Sequence, residues 1–102
     1  PYREYTRLAQ FAPPNTVTIT TMFDLFKDFP SCEVGAAFLE LDTHFVGYID
    51  MEPTFSPKNS TTMDILTRTL SGAKREVIAN IIQKYRAKAS KNDRRSSSPS
   101  KT

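Results

Sequence analysis

From Leu66 to Tyr85 the apolar residues return every third or fourth position: Leu66, Leu70, Ala73, Val77, Ile81 and Tyr85 stand 4, 3, 4, 4 and 4 apart, with Ile78 and Ile82 widening the stripe. That period belongs to an α-helix with one apolar face. The face must be covered by another layer of the same chain. No apolar run approaches the roughly 18–20 residues that cross a bilayer, so no membrane is expected. A chain of 102 residues supplies one modest core, because domains of this size bury only about 60–70% of their unfolded surface. The expectation is a single domain over 1–90. Ser71-Gly72 interrupts the stripe, and glycine costs about 1 kcal/mol inside a helix. The region therefore reads as one helix or as a pair, 62–70 and 72–90, with Ser71 capping the second. Thr61, three residues before Asp64, marks the start.

The cover for that face is sought upstream. Residues 1–15 read as an extended lead-in or a short helical turn closed by Pro13-Pro14-Asn15, because proline lacks a backbone donor and drives its predecessor out of the α region. Thr16 to Thr20 alternate as a half-buried strand does. Met22, Phe23, Phe26 and Phe29 recur at near-helical spacing, with Thr21 three residues before Asp24. They predict a short helix over 22–29, ended by Pro30. Residues 33–52 carry the strongest alternation. Ala37, Leu39 and Leu41 oppose Glu40 and Asp42, and Phe45, Gly47, Ile49 and Met51 oppose Tyr48, Asp50 and Glu52. Period two predicts a hairpin turning near Asp42-Thr43-His44, apolar inside and acidic outside.

The fold class that follows is α+β, a small antiparallel sheet packed against a C-terminal amphipathic helix or helix pair. Its expected core sets Leu66, Leu70, Val77, Ile78, Ile81 and Ile82 against Ile19, Leu39, Leu41, Ile49 and Met51. The aromatic residues at 22–29, with Phe38, Tyr48 and Phe55, join that core, and any surplus would mark a partner or dimer groove.

Charge is segregated along the chain. Residues 1–60 hold four basic and eight acidic residues, a net −4, whereas 61–102 hold ten basic and three acidic, a net +7. Lys84, Arg86, Lys88, Lys91, Arg94, Arg95 and Lys101 face only Asp93 across 84–102. Beyond Ser90 there is no apolar residue, so 91–102 reads as a basic, Ser-rich tail, disordered when free. Such a terminus attracts polyanions. Each phosphate neutralised by Lys or Arg releases condensed counterions and gives affinity without sequence readout.

Lys84, Arg86, Lys88, Lys91, Arg94 and Arg95 are therefore the expected nucleic-acid-binding residues, on a non-enzymatic RNA-binding or ribonucleoprotein-associated module, with RNA placed ahead of DNA. The same residues also suit nuclear import. The alternative is a structural or interaction subunit of a larger assembly, viral or organellar in kind, or a homo-oligomer, whose basic tail docks on an acidic protein surface. Ser97 follows Arg94-Arg95 and Ser98 precedes Pro99. Both are candidate phosphorylation sites, where each phosphate would remove about 1.5–2 charges from the basic segment.

Enzyme chemistry is poorly supplied. Cys32 is the only cysteine and His44 the only histidine, which leaves neither a disulfide framework nor a cysteine-rich zinc site. A Cys32–His44 nucleophile–base pair lacks any supporting oxyanion element. Glu40, Asp42, His44, Asp50 and Glu52 have the donor types for a divalent cation. They read first as the solvated face of a half-buried sheet. With three glycines in all, no phosphate-cradling loop is present. No enzyme activity, cofactor or metal is expected. The sequence opens on Pro1, so a processed product is expected. The unpaired Cys32, with no secretory signal in this sequence, points to an intracellular location.

Overall fold

A computed structural model describes residues 2–97. Helices carry most of it: α1 (Tyr2–Leu8), continued by a 3₁₀ turn at Ala9–Phe11, then α2 (Ile19–Leu25), α3 (Ser31–Leu41), α4 (Ser60–Thr69) and α5 (Arg75–Ser97). Two short strands, β1 (Thr16–Thr18) and β2 (Tyr48–Asp50), pair antiparallel with Val17 opposite Ile49. The class is α+β, with a sheet reduced to its smallest form.

The hairpin expected over 33–52 is not formed. Residues 31–41 are helix α3, and only Tyr48–Asp50 of that stretch is strand. The buried residues Val34, Ala37, Phe38 and Leu41 stand at i, i+3, i+4 and i+7, a helical face that outweighs the alternation of Ala37, Leu39 and Leu41. Pro30 opens the helix and Glu33 lies in its first turn, where a negative charge meets the positive end of the dipole. The strand expected over 16–20 stops at Thr18 because that side chain accepts the Thr21 N–H and caps α2. The short helix thus begins at Ile19 rather than 22, and Thr21 does not serve as its cap.

The two strands are entered in the same way. Asn15, two residues before Val17, has φ +62°, and Gly47, two residues before Ile49, has φ +92°. Each loop turns through the left-handed region just before its strand, and the two strands pair antiparallel. At Gly47 the requirement is also steric, since a Cβ there would stand 2.5 Å from Leu8 Cβ. The close approach fastens the second loop against the end of α1. Phe45, in the same loop, carries φ +53° and is 67% exposed.

Helix α4 starts at an Asn59 cap, whose side-chain oxygen accepts the Thr62 N–H at 3.0 Å. This displaces the start expected at Thr61. Between α4 and α5 the chain turns through Gly72 at φ +75°, so the region is a helix pair. Ser71 does not cap α5; it reaches α3 instead. The apolar core gathers Ile19, Leu41, Ile49, Met51, Leu66, Leu70, Ile78 and Ile82, as the sequence predicts. Leu39 and Ile81 lie at its edge, and Val77 is 42% exposed. Met22, Phe26, Phe38, Phe55 and Met63 fill the rest. Each such side chain contributes about 1.5–3 kcal/mol by leaving water. Tyr5 stacks edge-to-face on Phe38, centroids 5.6 Å apart, which anchors α1. Burial first, then the Asp42 carboxylate, raise the Tyr5 phenol above its ordinary pKa.

Candidate functional site

Helix α5 presents two faces. Ile78 and Ile82 are fully buried and Tyr85 and Ala89 pack beside them. Lys84 and Lys88 are exposed. Positions 84, 88, 91 and 95 recur at 4, 3 and 4 within α5, so one helical turn per 3.6 residues brings them within about 60° of one another. That sector is set roughly a third of a turn from the buried face. Four cationic positions form a row about 16 Å long. Arg94 lies about a quarter-turn off the row and Arg86 nearly opposite it. Ser97 ends the helix, which continues past Ser90, where the apolar stripe stops. Ser98 and Lys101 lie outside the described residues.

Arg86 has other work. Its Nη1 donates to the carbonyls of Met51 at 2.8 Å and Phe55 at 2.9 Å, and its Nη2 pairs with Glu52. Only 21% of the side chain is exposed. Tyr85 meets Phe55 edge-to-face, centroids 6.3 Å apart. Together they clamp α5 onto the turns after β2. Beside this clamp opens a cleft of about 400 Å³, lined by Glu52, Ser56, Pro57 and Lys58 from the turns after β2 and by Gln83, Arg86 and Ala87 from α5.

The acidic residues do not share a face. Glu40 pairs with Arg68 at 2.9 Å, and that contact holds its pKa below the ordinary value. Asp50 and His44 are exposed, and Glu52 belongs to the Arg86 clamp. Cys32 and His44 lie at opposite ends of α3, about 15 Å of helix apart. Asp42 is 3% exposed. Its two carboxylate oxygens accept the N–H groups of Val46 at 3.1 Å and Gly47 at 2.8 Å.

A calcium-binding helix–loop–helix takes oxygens from the first, third, fifth, seventh, ninth and last loop positions, with glycine at the sixth. Counted from Asp42, the glycine falls correctly at Gly47, but His44, Val46 and Pro53 occupy the third, fifth and last positions. The loop keeps such a turn and lacks its oxygen cage. Among the described residues, no three His, Cys, Asp or Glu are grouped to hold a metal ion.

Glu33 accepts the Ser71 N–H at 2.9 Å and its hydroxyl at 2.8 Å, and these bonds hold its pKa below the ordinary 4.5. A depressed carboxylate pKa gives stability that is full above the unfolded value and lost as pH falls through the native one. The Glu33 carboxyl should therefore titrate below 4.5 by NMR, and Ser71→Ala should move it back up. A wild-type midpoint at or above that value would contradict the contact.

Comparison with protein-family models, with curated proteins and with solved structures finds no match to this chain. Sequence reasoning missed Arg86 as a clamp and Asp42 as a loop cap. The first has no sequence signal, because the carbonyls it meets lie more than thirty residues away. The second has one: Asp42 five residues before Gly47, with an aromatic and a β-branched residue following.

Proposed function

We propose that this protein is a non-enzymatic, intracellular module that binds the phosphate backbone of nucleic acid, RNA ahead of DNA, along the row of positions Lys84, Lys88, Lys91 and Arg95, with Arg94 beside it. The supporting observation is the alignment of those positions on one face of α5, set away from the packed face. A helix with cations every turn follows a charged backbone and carries no base readout of its own. Among the described residues no helix is long and apolar enough to cross a membrane. Docking on an acidic protein surface is the second reading. It draws support from an apolar cleft of about 360 Å³ between Phe23, Phe29 and Val34, which the row does not use.

The test is a salt titration of binding to single-stranded RNA and duplex DNA. The wild-type chain is compared with a variant carrying Lys84→Gln, Lys88→Gln, Lys91→Gln and Arg95→Gln. Truncation is a poor tool, since a cut before Lys84 also removes Tyr85 and Arg86. For single strands the slope of log K against log salt should fall by about 3 units in the variant, with far-ultraviolet circular dichroism unchanged. Equal slopes, or no binding by the wild type at low salt, would dismiss the nucleic-acid reading and leave the acidic protein partner.

A further inference from the structure

We propose that the cleft between the turns after β2 and helix α5 receives one unstacked base of a single-stranded nucleic acid whose backbone lies on the cation row, so that the module selects single strands over duplex. The inference rests on the backbone reading above. Gln83 and Ala87 stand about a quarter-turn round α5 from the centre of the row, so the cleft opens on the flank of the helix beside the row rather than beneath it. A base carried by a strand on the row enters the cleft by turning across that flank.

Three properties favour a base. The volume of about 400 Å³ falls in the range of small-molecule clefts, roughly 300–1,000 Å³. Arg86 is held by two carbonyls and Glu52, which fixes a guanidinium plane in the lining of the cleft, and such planes stack on bases. The Glu52 carboxylate offsets the Arg86 charge, which leaves Lys58 as the one unbalanced charge among the lining residues. Gln83 contributes an amide that both donates and accepts, as a base edge requires. A base reaches such a cleft only when it is splayed from its stack, which a duplex resists.

Fluorescence anisotropy with the full chain tests this, using labelled single-stranded RNA, an abasic strand of equal phosphate count, and a duplex, each at several salt concentrations. The base-bearing strand should bind about tenfold tighter than the abasic strand, within the range for one stacked base. Ala87→Leu, which fills the cleft from an exposed helical position and keeps the charge, should erase that ratio and leave the salt slope unchanged. Gln83→Leu should reduce it. Equal affinity for base-bearing and abasic strands, or a ratio that survives Ala87→Leu, overturns the cleft and leaves the backbone reading standing. Failure of every strand to bind at low salt overturns both.

Discussion

Phe38→Ala is expected to lower the free energy of unfolding by about 4 kcal/mol, the middle of the range for emptying a buried aromatic site. Phe38 is fully buried on the inner face of α3 and receives the edge of Tyr5. Its removal costs the transfer energy of the ring and leaves a cavity that α1, α2 and α3 cannot collapse into without shifting. A domain of this size has roughly 5–15 kcal/mol in total, so the variant should unfold at much lower urea with an unchanged m-value. Phe45→Ala is the control. That ring is 67% exposed, and its loss should change the midpoint little. A Phe38→Ala cost below about 1 kcal/mol would contradict the packing described.

Asp42→Ala should cost about 2 kcal/mol. The buried Gly47 N–H loses a charged acceptor, which costs about 1–3 kcal/mol, while the Val46 N–H belongs to a residue 38% exposed and adds little. Asp42→Asn keeps one acceptor oxygen and should fall between wild type and alanine. Chemical denaturation gives the energies, and amide exchange gives the location: Val46 and Gly47 should lose protection before the helices do. Exchange unchanged at those two amides would show that the carboxylate does not hold the loop.

Much of this architecture is legible in the residues. The stripe from Leu66 to Ile82 yields α4 and α5, because at that length the helical period has no competitor. Helix α3 is the instructive failure. Over Ala37 to Leu41 five residues satisfy period two and period 3.6 equally, and only Val34 and Phe38 taken together break the tie. Strand β1 shows the opposite limit, since Ile19 and Thr20 continue the alternation while the Thr18 cap turns the chain into α2. At the site, the cation row is readable from spacing alone once α5 is known to run through position 95. The Arg86 clamp is not, because it joins a helix to carbonyls that only the tertiary fold brings near. Glu40, Asp42 and Glu52 look alike in sequence and have three different partners in space.

The pairing of Thr16–Thr18 with Tyr48–Asp50 closes a loop of chain that contains α2, α3, the turn between them and the connection from Asp42 to Gly47. The entropy of closing such a loop grows slowly, by about 0.6 kcal/mol for each doubling of its length. Lys27 and Asp28, at the tip of that turn, are exposed, whereas the other connection inside the loop, Asp42 to Gly47, is fastened to α1 and to its own carboxylate. Extra residues placed between Lys27 and Asp28 would lengthen the enclosed chain at little cost. That turn is accordingly the natural port for a reporter or a fused domain.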